Sequence, residues 1–242
     1  MRYKVVVSYN GTNFAGYAIQ PNEYTIQGEI CRVFSIIFNE DIKIYASGRT
    51  DKGVHALNQV FHFDSEKVIE DLGKILISAN KLIDKNIYFK SIEKVDEEFH
   101  ARFSVKMKTY SYVINFVEYS PLFKDLELFC NQLDISKMEE ASKLFIGTHN
   151  FQNFTSKEED EDGYVRSIYD IKFRKESNRL FIDFTGNGFM KYQIRKMVGT
   201  LIEIGKGKIT KNFIENKFNS KGREIVSYQS PSKGLYLKEV FY

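Results

Sequence analysis

The order of apolar patterns along the chain constrains its fold more than any other feature. In the first half, segments with a two-residue period alternate with segments of helical period in the order β-α-β-β-α-β. Strands are predicted at 2–9, 42–47, 57–63 and 87–95, and helices after Thr25 and at 65–79. The second half repeats this order, with strands at 109–117, 165–174, 180–186 and 234–242, and helices at 136–146, 189–204 and near 213.

Two copies of a split β-α-β unit explain this repeat most economically. We therefore predict an α+β protein of two similar domains, each resembling the ferredoxin-like or RRM-like fold. The domains are predicted at 1–104 and 105–242. Because antiparallel sheets with helices on one face leave the other face open, we expect the two sheets to meet at a central cleft that holds a ligand.

The composition excludes several classes of protein. The two cysteines, Cys31 and Cys130, lie in neither a C-x-x-C nor a Cys/His ligand spacing, so we expect no disulfide framework and no metal site. This cysteine usage is typical of a reducing cytosol, and we predict a cytoplasmic protein. No apolar run approaches the roughly 18 residues of a membrane-spanning helix, so we expect neither export nor membrane insertion.

Basic side chains concentrate in the second half of the chain. Residues 1–100 carry 12 Lys or Arg and 14 Asp or Glu, whereas residues 101–242 carry 23 and 18. Between residues 185 and 223, only Glu203 and Glu215 oppose nine basic residues: Lys191, Arg195, Lys196, Lys206, Lys208, Lys211, Lys217, Lys221 and Arg223. This basic cluster indicates either a surface for a polyanion or a solvated helix face, because lysine is common on exposed helices.

The densest local signal is the polar segment 47–56, SGRTDKGVHA, between two predicted strands. Its glycines permit a tight turn that exposes a side chain. A neighbouring cation favours the ionised form of a carboxylate, which makes Asp51 beside Arg49 a candidate nucleophile. The residues alone leave a second interpretation open, in which Asp51 caps the turn and Arg49 forms a surface ion pair.

This segment resembles the signature G-R-T-D-[AK]-G-V-H-A of the TruA-type tRNA pseudouridine synthases, with nine consecutive matches. Further segments resemble that family in order along nearly the whole chain: 9–16 (YNGTNFAG), 99–104 (FHARFS), 108–112 (KTYSY), 149–154 (HNFQNF), 186–189 (GNGF), 199–201 (GTL), 230–231 (SP) and 234–235 (GL). The resemblance implies an enzyme with its active cleft between two domains.

The resemblance also implies roles for four residues. Asp51 matches the family nucleophile, and Arg195 matches the arginine that pairs with it. Arg49 matches the arginine that helps to hold the target nucleotide out of its helix. Tyr110 matches the aromatic residue that stacks on the target base, with Tyr112 as the alternative. The reaction moves one glycosidic bond without redox change or hydrolysis, so we expect neither cofactor nor metal.

By the same resemblance, the substrate is tRNA, the targets are uridines at positions 38, 39 and 40 of the anticodon arm, and the protein is a homodimer. Two other classes remain open. A non-catalytic tRNA-binding or folding module would keep the cleft, but the presence of Asp51, Arg49 and Arg195 together argues against it. A hydrolase of small phosphate esters would need a second carboxylate with metal-ligand spacing, which segment 49–56 lacks.

Other features have mainly structural interpretations. His55 and His100 are expected to bond backbone groups rather than act as acids or bases. Residues 186–188 (GNG) form either a phosphate site at a helix N-terminus or a plain turn. The acidic stretch 157–163 is predicted to be a solvated loop. Three departures from the family pattern, Tyr17-Ala18, Asn150 and Gln193, concern RNA positioning and packing rather than the reaction.

Overall fold

The fold is described from a computed structural model that covers residues 1–68, 70–158 and 163–242. The chain divides into two compact units, unit 1 with Met1–Lys106 and Tyr236–Tyr242, and unit 2 with Met107–Leu235. The α+β class predicted from the sequence is confirmed in both units. Most of the predicted acidic loop, residues 159–162, lies outside the described residues, as does residue 69 of the predicted helix 65–79.

Unit 1 contains an antiparallel sheet with two helices. Its elements are β1 (Arg2–Tyr9), α1 (Ile26–Phe38), β2 (Ile44–Ala46), β3 (His55–Asp64), α2 (Leu72–Leu82) and β4 (Ile87–Val95). β1 pairs with both β3 and β4, and β2 pairs with β3, always antiparallel. This is the β-α-β-β-α-β order that the sequence predicts.

Side chains of alternating burial explain why these segments form a half-buried sheet. Along β1, every second residue is buried, from Tyr3 to Tyr9. α1 begins where Thr25 accepts a hydrogen bond from the Gly28 N–H at 3.2 Å, as predicted for an N-cap. Its Phe34 ring packs edge-on against Phe61 and Phe63 of β3, which joins the helix to the sheet.

Unit 2 is built around a run of four antiparallel strands. Its elements are β5 (Met107–Asn115), β6 (Leu128–Phe129), α3 (Ile135–Ser142), β7 (Gly147–Asn150), β8 (Val165–Glu176), β9 (Arg179–Gly186), α4 (Gln193–Gly205) and α5 (Asn212–Asn219). The strands lie in the order β5-β9-β8-β7, and β6 adds to β5 in parallel. Short 3-10 turns occur at Pro121–Phe123, Lys143–Phe145, Gln152–Phe154 and Ser232–Gly234.

The structure corrects several predicted boundaries. α2 begins at Leu72 rather than residue 65, because Asp71 caps it by accepting from the Lys74 N–H at 2.9 Å. α4 begins at Gln193 rather than residue 189, because Tyr192 before it has a left-handed backbone with φ of 63°. The short strands β6 and β7 were not predicted, since segments of 2 and 4 residues carry too little periodicity.

The last strand also departs from the predicted domain division. β10 (Leu235–Phe241) pairs in parallel with β3, where Tyr236 lies opposite His55 and Leu237 opposite Ala56. Residues 236–242 therefore belong to unit 1 and not to a domain 105–242. Among the residues described, no helix is both long and apolar enough to cross a membrane.

A buried histidine in β3 makes unit 1 sensitive to acid. His62 is 1% exposed, and its Nδ1 accepts a hydrogen bond from the Ala101 N–H at 3.1 Å, so the ring is held neutral. Burial lowers the pKa of His62 from 6.5 to about 4, with Arg2 and His100 acting in the same direction and Asp64 against it. Protonation of Nδ1 would break the bond to Ala101.

The free energy of unfolding should therefore fall as the pH decreases from about 6.5 to 4. In this range the unfolded chain takes up a proton at His62 that the folded chain excludes, which costs about 1–3 kcal/mol. A His62→Gln variant should lose this part of the pH dependence, whereas the part that comes from titration of Asp and Glu residues should remain. Urea unfolding of both proteins across this pH range measures it, and identical pH profiles would contradict the assignment.

Candidate active site

The loop between β2 and β3 positions two of the predicted site residues. Arg49 is exposed and Asp51 is half-buried, whereas Thr50 between them is buried. The turn closes with a hydrogen bond from the Val54 N–H to the main-chain oxygen of Asp51 at 3.1 Å. Gly53 has a positive φ of 75°, a conformation that glycine adopts without steric cost. The loop thus places Arg49 and Asp51 on one short turn of unit 1.

The other two predicted residues, Tyr110 and Arg195, belong to unit 2. Tyr110 lies in β5, is half-buried, and contacts the Phe189 ring edge-on with ring centres 5.4 Å apart. Tyr112 is fully buried, and its hydroxyl donates to the Pro231 carbonyl at 2.8 Å. Of the two tyrosines that the sequence leaves open as a base platform, Tyr110 is therefore the accessible one.

Arg195 lies in the first turn of α4 and is held through both its backbone and its side chain. Its Nε donates to the Ser230 carbonyl at 2.9 Å. The Ser230 N–H and hydroxyl both donate back to the Arg195 carbonyl, at 2.9 and 3.1 Å. This reciprocal pairing fixes the direction of the guanidinium stem, because three hydrogen bonds join the same two residues.

The segment that carries Ser230 packs closely along α4. A Cβ on Gly199 would lie 2.8 Å from the Gln229 backbone nitrogen, so only glycine lets this segment approach. The buried Lys196 donates its Nζ proton to the Val226 carbonyl at 2.5 Å. Desolvation lowers the pKa of Lys196, with a smaller contribution from Arg195. The sequence contains Ser230 in a motif of the family but does not reveal that it holds Arg195.

Tyr192 adds a second constraint on Arg195. It has φ of 63° and ψ of 3°, the left-handed region that non-glycine residues rarely adopt. Its ring lies 5.0 Å from the Arg195 guanidinium and 5.2 Å from the Lys191 Nζ, within the range of cation–π contacts. Backbone strain of this kind concentrates at functional sites. No sequence pattern predicts it.

The basic cluster of unit 2 is not uniformly available to a ligand. Lys206 and Lys208 both pair with Glu203, at 3.0 and 3.1 Å. Lys211 pairs with Glu140 and Lys217 with Glu224. Lys191 is exposed next to the start of α4. The part of this cluster best placed for a polyanion therefore lies beside Arg195 rather than at the C-terminal end of α4.

The other features of the sequence have the structural roles expected of them. The His55 Nδ1 accepts from the Gly11 N–H at 3.0 Å, and the His100 Nδ1 accepts from the N–H groups of Arg102 and Phe103 at 3.1 and 3.3 Å. Residues 186–188 do not adjoin the start of α4. Instead, the Asn187 side chain accepts from the Ser167 N–H at 3.0 Å, which makes this segment a turn.

The three departures from the family pattern lie in structural positions. Tyr17 is buried, and its ring centre lies 6.1 Å from that of Tyr9. Gln193 is buried and caps the Met190 N–H at 2.9 Å. Asn150 accepts from the Gln152 N–H at 3.0 Å. Within the described ranges, no group of three or more His, Cys, Asp or Glu side chains is arranged to hold a metal ion.

Comparison with known proteins extends the similarity to the whole chain. A family model described as tRNA pseudouridine synthase matches residues 5–104 and 141–242. A protein named tRNA pseudouridine synthase A from Listeria monocytogenes is 40% identical over all of this chain and 99% of its own length. Proteins of the same name from Mycoplasmoides gallisepticum and Mycoplasma genitalium are 41% and 40% identical, over 98% and 100% of this chain and 89% and 98% of their own lengths.

Proposed function

Because the chain belongs to the tRNA pseudouridine synthase family, we propose that it isomerises uridine to pseudouridine in the anticodon arm of tRNA. The observation that carries this proposal is the turn that presents Asp51 and Arg49, in a segment with nine consecutive matches to the family signature. By the resemblance, the target uridines are at positions 38, 39 and 40, and the enzyme is a homodimer that works in the cytoplasm.

Asp51 is the nucleophile of this reaction, and Arg195 matches the arginine that pairs with the nucleophile in the family. The bond between N1 and C1′ breaks, the base turns, and C5 bonds to C1′ before it loses its proton. Two routes fit a carboxylate: addition of Asp51 to C1′, or removal of a sugar proton so that the base leaves as an anion. Both routes proceed without metal and without organic cofactor, since no electrons leave the substrate.

Access to the buried base requires extrusion from the RNA helix, which costs a few kcal/mol. Tyr110 offsets this cost by stacking on the extruded uracil, and its half-buried ring supported by Phe189 suits that role. Arg49 is exposed on the same turn as Asp51, where it helps to hold the nucleotide out of the helix. Phosphates of the tRNA backbone bind the basic residues at the start of α4.

Product analysis with one tRNA tests the proposed function. Purified protein is incubated with unmodified tRNA, without added metal or cofactor, and pseudouridine is mapped chemically. We expect modification confined to positions 38, 39 and 40. A non-catalytic tRNA-binding module would bind the RNA and give no product, and modification elsewhere in the tRNA would refute the proposed target.

The salt dependence of tRNA binding should identify the residues that contact phosphate. Lys191→Gln should reduce the slope of log affinity against log salt by about one unit, because one phosphate contact and its released counterion are lost. Lys211→Gln is the matched control, since Lys211 belongs to the same basic cluster and pairs with a carboxylate of its own, Glu140. Its slope should stay near that of the unaltered protein. Equal changes in both variants would place the phosphate contacts elsewhere on the basic cluster.

A further inference from the structure

Buried side chains of unit 1 form hydrogen bonds with the loop that carries Asp51. The Tyr9 hydroxyl of β1 lies 2.8 Å from the Thr50 hydroxyl, and both residues are more than nine-tenths buried. Thr50 directly precedes Asp51 in the chain. A hydrogen bond at this point therefore restrains the backbone from which the Asp51 carboxylate projects.

Gln59 of β3 holds the beginning of the same loop. This residue is fully buried, and its Oε1 accepts from the Ser47 hydroxyl at 2.6 Å. Its Nε2 donates to the Gly48 carbonyl at 2.9 Å. Its Oε1 also accepts from the Val60 N–H at 3.1 Å. Buried side chains of β1 and β3 thus hold the loop at Thr50 and at Gly48, on both sides of Arg49.

The segment before α1 holds the loop from another direction. The Tyr17 N–H donates to the Thr50 carbonyl at 3.0 Å, so Thr50 is bonded through both its side chain and its backbone. A Cβ on Gly16 would lie 3.3 Å from both the Thr50 oxygen and the Lys52 nitrogen. This close backbone approach leaves the loop little room to shift.

The stability of the sheet alone does not require these buried hydrogen bonds. A buried polar group lowers the free energy of unfolding unless it has a hydrogen-bond partner. An apolar side chain of similar volume at these positions would need no such partner. Fully connected buried networks fix one geometry. A reacting carboxylate benefits from this, because a displacement of about 1 Å from the productive position can cost a hundredfold in rate.

We propose that Tyr9, Thr50 and Gln59 are positioning residues, which set the direction of the Asp51 carboxylate without touching the substrate. This inference rests on the proposed function of Asp51. We expect the three residues to affect the rate of the chemical step and not the affinity for tRNA, because all three are buried.

Tyr9→Phe tests the inference, with Tyr3→Phe as the matched control. Tyr3 is a buried tyrosine on the same face of β1, and its hydroxyl contacts the Lys67 carbonyl at 3.4 Å, away from the loop. In single-turnover reactions with saturating tRNA, Tyr9→Phe should react at least about tenfold more slowly, with tRNA affinity within about twofold. Tyr3→Phe should react at the unaltered rate. Equal rates for the two variants would overturn the inference.

A double-mutant cycle separates the hydrogen bond from general damage to the core. Thr50→Val removes the other hydroxyl, and the double variant Tyr9→Phe, Thr50→Val should be no slower than the slower single variant, because both changes remove the same bond. Multiplied losses would mean that the hydroxyls act independently and would overturn the proposed pairing.

Amide hydrogen exchange measures local opening of the loop independently of catalysis. In Tyr9→Phe, the Val54 and Tyr17 amides should exchange faster than in Tyr3→Phe, as the loop loosens. Failure of the intact protein to make pseudouridine would refute the proposed function, yet this exchange would still report on positioning. If the intact enzyme is active and Tyr9→Phe reacts as fast as Tyr3→Phe, the positioning inference alone fails, whatever the exchange rates are.

Discussion

Asp51→Asn is expected to abolish pseudouridine formation while tRNA affinity stays within a few-fold. The amide has nearly the same volume and can keep the loop closed, but it is a very poor nucleophile and does not remove a sugar proton. Losses at single residues that act directly on the reacting atoms reach several orders of magnitude, so we expect at least about a 10⁴-fold decrease in single-turnover rate. Chemical mapping of the tRNA product measures it.

Lys52→Ala provides the control for this prediction. Lys52 is the next residue in the loop and is exposed. Its removal should leave the rate within a few-fold, which would show that substitution in the loop does not by itself stop the reaction. Appreciable turnover by Asp51→Asn, or an equal loss in Lys52→Ala, would refute the role of Asp51 as nucleophile.

Local signals account for the parts of the fold that the sequence predicts well. β1 and β4 have the predicted bounds, and burial alternates along all eight residues of β1 and along the first four of β4, as expected of a half-buried strand. The start of α1 is marked by Thr25, whose capping bond spans three residues. The candidate catalytic turn is predicted for the same reason, since its glycines, Arg49 and Asp51 lie within one short segment.

Interactions between distant segments are what the sequence does not predict. Ser230 and Arg195 are 35 residues apart, and nothing local links them. Tyr9 and Thr50 are 41 apart. Gln59 does leave a trace, as an amide among apolar residues in β3, which indicates a buried polar partner without identifying it. The sequence therefore predicts which residues carry the chemistry but not the contacts that orient them.

The hydrogen bonds beneath the Asp51 loop and those between Ser230 and Arg195 have the same effect, which is to restrain a residue proposed to act in the reaction. In unit 1, the Thr50 hydroxyl pairs with the Tyr9 hydroxyl and the Thr50 carbonyl accepts from the Tyr17 N–H, next to Asp51. In unit 2, the Arg195 Nε donates to the Ser230 carbonyl, and the Arg195 carbonyl accepts from the Ser230 hydroxyl. Preorganised groups of this kind need little rearrangement when charge develops in the reaction.

Tyr110→Ala should make the free energy of tRNA binding less favourable by about 1–3 kcal/mol, the range for the loss of one base–aromatic stack. Tyr110→Phe should retain this energy, because its ring can stack as before. If the hydroxyl also relays the proton that leaves C5, the Phe variant will bind tRNA normally but turn over slowly, and the intermediate in which C5 is bonded to C1′ and still carries its proton should accumulate. Stacking alone predicts nearly normal turnover, so kcat and affinity together distinguish the two roles.

A pair of leucine variants tests whether Tyr110 or Tyr112 forms the platform. Leucine keeps much of the buried volume and removes the aromatic ring. Tyr112→Leu should lower the free energy of unfolding, because it removes a fully buried ring and its bond to the Pro231 carbonyl. The folded fraction should still bind and modify tRNA, whereas Tyr110→Leu should remain folded and lose stacking. The reverse pattern would show that Tyr112 is the residue on which the extruded base stacks.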